Sequence, residues 1–152
     1  MKTKLVVEAT ERGVSAVRLG GKDRGAESGS SGAKGSERKR WSEIARKELA
    51  VYFAGRLKRF TARCDLDGLT PFTRAVLNIT ARIPYGEVRS YRWIARKLGK
   101  PDASRAVGNA LARNPVPVII PCHRVVRSDG AIGGFALGPG WKKRLLALEQ
   151  QK

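Results

Sequence analysis

The run Ile119-Ile120-Pro121-Cys122-His123-Arg124 ends an apolar stretch at a proline and hands directly to a cysteine and the chain's single histidine. A cysteine attacks as thiolate, and a neighbouring imidazole or other positive group lowers its pKa toward neutrality, so Cys122 beside His123 and Arg124 has the residue types that nucleophilic chemistry needs. Adjacency alone more often marks an inert, buried cysteine in a strand-end turn. The surrounding sequence decides between the two.

Upstream lie Arg105-Ala106-Val107-Gly108-Asn109-Ala110 and then Asn114-Pro115-Val116-Pro117-Val118. Before them, Thr70-Pro71 supplies a cap and a proline at the first helical position, and Phe72, Ala75, Val76, Ile79 and Ile83 give that helix one apolar face, ended by Pro84-Tyr85-Gly86. Ser90 caps a short helix with Tyr91, Ile94, Ala95 and Leu98 inward, and after a Gly-Lys-Pro turn a further helix carries Ala103, Ala106, Val107, Ala110 and Leu111 inward, which predicts a helix-turn-helix. On its outer stripe Arg105, Gly108, Asn109 and Ala112 share a face that is small apart from Arg105. Such a face approaches a minor groove closely, with a small-residue helix contact as the alternative. The run 116–120, interrupted by proline, reads as a buried extended segment that delivers Cys122 from the interior. Downstream, Ser128-Asp129-Gly130 predicts a turn and Gly133-Gly134-Phe135 a loosened loop suited to a planar ligand. Pro139 precedes a last helix with Trp141, Leu145 and Leu148 inward. Glu149, one turn beyond Leu145, reads from spacing alone as a surface charge.

Toward the N-terminus, Leu5–Thr10 and Val14–Leu19 about a glycine turn predict a hairpin. Residues 20–40 are rich in glycine and serine and nearly devoid of apolar side chains, which predicts a mobile loop. Its basic end Arg38-Lys39-Arg40 suits phosphate contact or plain solvation. Ser42 is the expected cap of a helix with Ile44, Ala45, Leu49, Tyr52 and Phe53 at helical spacing, stopped at Gly55. The basic piece from Leu57 to Leu69 turns at Asp65-Leu66-Asp67-Gly68 and reads as a passage between two domains, 1–64 and 65–152, with Cys64 structural.

Composition narrows the class. The chain of 152 residues carries 31 Lys and Arg against 13 Asp and Glu, a formal charge of +18 that argues for a polyanionic partner, nucleic acid first and membrane surface second. No stretch reaches a membrane span and the N-terminus leads into no signal-peptide core, so an intracellular, reducing setting is expected. Two cysteines and one histidine fall short of the four ligands of a structural zinc site, so no metal is expected.

The ordered set Gly86-Glu87-Val88 with Ser90-Tyr91, Arg105-Ala106-Val107-Gly108, Asn114-Pro115, Pro121-Cys122-His123-Arg124 and the final Glu149 resembles the O6-alkylguanine-DNA alkyltransferases over residues 70 to 150. The resemblance implies an α+β chain. Its N-terminal domain would be a small three-stranded sheet with helix, ribonuclease H-like, and its C-terminal domain mainly helical, winged-helix-like, with a helix-turn-helix. It implies that a flipped O6-alkylguanine, and O4-alkylthymine, passes its alkyl group irreversibly to Cys122, one lesion per molecule and without cofactor. His123 would draw the thiol proton through a water, Glu149 would orient the imidazole and Asn114 would brace the turn. Tyr91 would donate to the guanine ring, backbone groups near Val125 and Ala136 would bind its edge, and Arg105 with Ala106, Gly108 and Asn109 would meet the DNA, Arg105 filling the vacated stack. The expected partner is alkylated duplex DNA and the expected state a monomer, cytoplasmic or, in a eukaryote, nuclear. Some members of the family carry zinc in the N-terminal half, and this chain lacks the ligands. Where many relatives carry serine this chain has Ala136, and the bulky Leu137 beside it narrows the room for large alkyl groups. A helix-turn-helix regulator, an alkyltransferase-like protein that grips the lesion without transfer, and a cysteine hydrolase are the competing readings. Transfer of a labelled alkyl group to the protein separates the first two from the family function, and turnover beyond one equivalent marks the third.

Overall fold

The structure is a computed structural model and describes residues 5–19, 33–133, 135 and 137–150. The chain divides into two compact units, 1–67 and 68–152.

In the first unit, β1 (Leu5–Thr10) and β2 (Gly13–Leu19) form an antiparallel hairpin with a bulge at Glu8/Ala9, and α1 (Ala33–Phe53) packs on both strands. Val6, Val7, Val14 and Val17 from the strands meet Ala45, Leu49 and Tyr52 from the helix in the core. Ile44 and Phe53 are only half-buried. The expected third strand is reduced, among the described residues, to one parallel bridge between Val14 and Cys64, closed by Val14 N–H to the Arg63 carbonyl at 2.7 Å and Asp65 N–H to the Val14 carbonyl at 2.8 Å. Gly13 permits that approach, since a Cβ there would lie 2.5 Å from the Arg63 carbonyl oxygen. The Glu48 carboxylate fixes the segment after α1 by accepting the Thr61 and Ala62 amides at 2.9 and 2.8 Å.

Two expectations are corrected in this unit. The helix begins at Ala33, so residues 33–40 of the predicted loop are helical; the rest of that loop, up to residue 32, lies outside the described residues. Ser42 is therefore mid-helix, its hydroxyl donating back to the Lys39 carbonyl at 3.0 Å instead of capping. Lys34, Glu37, Arg38, Lys39 and Arg40 are good helix formers, and a solvated first turn needs no apolar face when the rest of the helix is packed.

The second unit is built from helices α2 (Pro71–Thr80), α3 (Tyr91–Lys97), α4 (Ser104–Ala112) and α5 (Pro139–Gln150), with a two-residue parallel pairing of β3 (Arg89–Ser90) and β4 (Val125–Val126). Thr70 caps α2 by accepting the Thr73 amide at 3.2 Å with Pro71 at the first position, and Ser90 caps α3 by accepting from Trp93 at 3.0 Å, both as the sequence predicts. The buried face of α2 is Thr73, Val76, Leu77 and Thr80, so it is rotated from the predicted stripe toward Leu77. Helices α2, α3 and α4 pack mutually, and Val107, Ala110 and Leu111 carry α4 into the core while Ala106 is exposed, contrary to expectation.

The run 116–120 is buried but not extended. It winds into a tight loop in which the Ile120 amide reaches the Val116 carbonyl at 3.0 Å, and Val118 is held at φ 75°, a region that strains a β-branched residue. In α5 Leu145 is buried while Trp141 and Leu148 are half-buried; Lys142, unforeseen, is fully buried. None of the helices among the described residues is long and apolar enough to cross a membrane.

Candidate active site

The loop 116–120 aims the 3-10 turn Cys122–Arg124 into the base of a cleft of about 790 Å³, whose walls come from Tyr91 and Arg92 of α3, Arg105, Gly108 and Asn109 of α4, and the turn Arg127–Asp129. Cys122 is 3 % exposed. Three arginines and Asp129 give the cleft a net positive lining suited to a polyanion.

Asn114 holds the loop. Its side-chain amide donates to the Ile120 carbonyl at 3.1 Å and its oxygen accepts the Val116 amide at 2.9 Å, while the Cys122 amide reaches the same Ile120 carbonyl at 2.8 Å. Together with the Ile120 amide to Val116 carbonyl bond, these bonds hold Val118 in its strained conformation. Replacing Asn114 with Ala is expected to cost about 1–3 kcal/mol, because the buried Val116 amide loses its partner while the Ile120 carbonyl keeps only the Cys122 amide, and to slow chemistry at Cys122. Chemical denaturation checks this, and a loss near zero would remove the bracing role.

Behind the cysteine sits a buried charge cluster. His123 is 0 % exposed, and its Nε2 lies 2.6 Å from Glu149 Oε2. Arg124 donates from Nε to Glu149 Oε1 at 2.8 Å, from Nη2 to Oε2 at 3.0 Å and from Nη1 to the Ile83 carbonyl at 2.6 Å. The Gly86 amide adds a bond to Glu149 Oε1 at 3.3 Å. Glu149 thus accepts four hydrogen bonds, two at each oxygen, which fills a carboxylate's acceptor sites. Its role is therefore that of an acceptor, so Nε2 of His123 carries the proton and Nδ1 is the basic nitrogen. Burial pushes the imidazole below its ordinary 6.5, with the Glu149 hydrogen bond acting in the opposite direction.

Tyr91 is half-buried on the cleft wall, and Gly133 makes room for it: at φ +77° a Cβ there would stand 2.6 Å from the phenolic oxygen. Arg105 and Asn109 are exposed on the wall of α4. Of the residues named from the sequence, Tyr91, Arg105, Gly108, Asn109 and Cys122 come together around the cleft, with Asn114, His123 and Glu149 behind it. Val125 is buried with its carbonyl occupied by Lys142 Nζ at 2.5 Å, Ala106 stands outside the cleft lining, and Ala136 lies outside the described residues.

Sequence reasoning missed three things here. In the sequence Arg124 is only a positive neighbour of the thiol, and nothing there signals its grip on Glu149. The Pro84–Gly86 turn signals only a helix stop in the sequence, yet its Gly86 amide binds Glu149 and its Tyr85 ring lies under the Arg124 guanidinium at 5.6 Å. Lys142 went unnoticed although 142, 145 and 149 fall on one helical face, the spacing that would have placed it beside the glutamate.

A family model described as the DNA-binding domain of 6-O-methylguanine DNA methyltransferase matches residues 71–151. The methylated-DNA–protein-cysteine methyltransferase of Methanosarcina barkeri is 46% identical over 114 residues, covering 75% of this chain and 72% of the relative. Its namesake from Mycolicibacterium paratuberculosis is 43% identical over 117 residues, covering 73% and 70%. Among solved structures, Mycobacterium tuberculosis OGT in complex with DNA superposes with a TM-score of 0.77 at 36% identity, covering 96% of this chain and 86% of that one. With a family model over more than half of its length and relatives matched over most of theirs, this chain belongs to the methylated-DNA–protein-cysteine methyltransferase family.

Proposed function

We propose that this protein repairs DNA by direct reversal, taking the alkyl group of O6-alkylguanine, and of O4-alkylthymine, onto Cys122 in a single irreversible turnover. The observation that carries the reading is a nearly buried thiol at the base of an arginine-lined cleft with a histidine–carboxylate pair 2.6 Å apart directly behind it. In this mechanism the Cys122 proton leaves by way of His123 Nδ1, through a water, and the sulfur attacks the alkyl carbon in line with the departing O6. The S–C bond forms as the C–O6 bond breaks, and the electron pair stays on the guanine. Tyr91 donates its phenolic hydrogen to the ring as negative charge grows there, a contact stronger in the transition state than before it. The thioether has no hydrolytic exit, so the protein is consumed.

Helices α3 and α4 serve as the helix-turn-helix, with α4 against the minor groove and Arg105 entering the stack where the nucleotide has left. The first unit fits a ribonuclease H-like domain through its hairpin with a helix packed on it, and the second a winged-helix-like one through its three packed helices. The thiol chemistry suits the reducing cytoplasm. Incubation with O6-methylguanine DNA followed by mass spectrometry tests the reading: one methyl group on the peptide that carries Cys122 supports it, and an unmodified protein or multiple turnover of an ester rejects it.

Arg105→Ala is expected to slow transfer from duplex DNA by about a hundredfold while transfer from the free base changes little, since only the duplex requires unstacking at a few kcal/mol. Equal losses on both substrates would refute the wedge. Binding weakens with rising salt at a log–log slope set by the few phosphates contacted and not by all 31 basic residues.

A further inference from the structure

The cleft has a basic edge that the transfer steps above leave unused. One edge is α4 with Arg105; another is the turn after β4, a lip formed by Arg127, Ser128 and Asp129. The lip is rigidly built. The Arg127 amide donates to the Ala131 carbonyl at 2.9 Å, the Gly130 amide to the Arg127 carbonyl at 3.0 Å, and the Ala131 amide to Asp129 Oδ1 at 2.9 Å. Gly130 supplies the φ of +87° that closes the turn. The strand leading into it is fixed at two points, by its pairing with β3 directly before α3 and by the Lys142 ammonium on the Val125 carbonyl at 2.5 Å. Arg127 therefore stands on the same frame as α3. Its side chain and that of Asp129 are each 62 % exposed, and Nη2 approaches Asp129 Oδ2 at 3.7 Å. An exposed pair at that separation is one loose contact and gains little.

We propose that Arg127 is a phosphate contact for the DNA strand that delivers its nucleotide to the cleft, made by giving up Asp129 for the backbone. The proposal rests on the transfer reading. A nucleotide turned into the cleft hangs from a sugar–phosphate chain that must cross the rim, and Arg127 lies on that rim within the lining that also contains Cys122. A guanidinium binds phosphate through paired, charge-assisted N–H bonds, which are stronger than a loose exposed contact to a carboxylate, so the exchange is favourable. Asp129 is on the lip for another reason: its Oδ1 closes the turn. Its charge opposes the strand, and Arg127 standing beside it screens that charge. A contact of this kind positions the backbone and reads no sequence.

The test is the salt dependence of binding to unmodified duplex DNA, measured on two unrelated sequences for the wild type, Arg127→Ala, Asp129→Asn and Lys143→Ala. Lys143 is exposed on α5 and absent from the cleft lining, so its variant measures the loss of a positive charge as such. Each phosphate contact contributes about 0.9 to the log–log slope. Arg127→Ala is expected to bind about three- to tenfold more weakly at low salt, equally on both sequences, with the slope reduced by about 1. Lys143→Ala keeps the wild-type slope. Asp129→Asn retains the oxygen that closes the turn, loses the opposing charge and binds at least as tightly as wild type. A wild-type slope in Arg127→Ala, or an equal slope change in Lys143→Ala, overturns the phosphate contact, and weaker binding by Asp129→Asn overturns the exchange. If duplex binds but no methyl group from O6-methylguanine DNA reaches the protein, the functional reading fails instead, and the slopes still decide the role of Arg127.

Discussion

Replacement of Cys122 by serine is expected to reduce transfer by at least about a thousandfold, because a hydroxyl remains protonated where a thiol ionises and removal of a nucleophile is among the largest single losses an active site suffers. The change is nearly isosteric at a position only 3 % exposed, so the fold and the arginine-lined cleft remain and DNA binding should stay within about twofold of wild type. Cys64→Ser should transfer normally. Cys64 sits in the bridge to Val14, and burial pushes its thiol up to about 12, where almost no thiolate forms at neutral pH. Mass spectrometry and gel-shift binding on the two variants separate chemistry from grip. Full transfer by the Cys122 variant would place the acceptor elsewhere, and joint loss of binding and transfer would mean that the serine had disturbed the fold.

The helices of the second unit were legible from their residues because their signals are local: Thr70 before Pro71, Ser90 ahead of an apolar stripe, and Val107 with Ala110 and Leu111 at helical spacing. The site was less legible because burial in the second unit overrides residue type. Glu149 looks like a surface charge until Arg124, His123 and the Gly86 amide close around it. Only the resemblance had placed it beside the histidine. Lys142 carries no sequence signal of its own, since a charged residue type gives no hint of burial, and the structure places it at 0 % exposure. The run 116–120 shows a different failure. Its β-branched, proline-broken composition favours an extended chain, and the outcome is set by Asn114 two residues upstream, whose side chain satisfies the loop's backbone and holds Val118 at φ 75°. Nothing in the run itself encodes that. Ser42 misled for a related reason: a cap residue acts only where amides lack partners, and α1 had already begun nine residues earlier.

Glu149→Gln should produce the largest loss of stability of any single change in the site. The substitution keeps the shape of the side chain and removes its charge, leaving the Arg124 guanidinium, whose side chain is 7 % exposed, without a counter-ion and placing an amide where four donors converge. Breaking one side of a buried pair costs about 3–5 kcal/mol, a large part of the roughly 5–15 kcal/mol that holds a domain together, so the melting temperature should fall by on the order of 10 °C. Transfer should slow by about a hundredfold, since an amide presenting its N–H no longer fixes the imidazole with Nδ1 as the base. Stability and chemistry part company in the double variant. Arg124→Met with Glu149→Gln removes both charges and fills the space with apolar atoms, so much of the lost stability should return, as buried pairs replaced by apolar groups commonly allow. The imidazole remains unoriented there and transfer stays slow. A double-mutant cycle on denaturant stability, read beside single-turnover rates, measures both. A Glu149→Gln protein that melts with the wild type would show that the carboxylate does not hold the cluster, and recovery of transfer in the double variant would show that His123 needs no carboxylate to act.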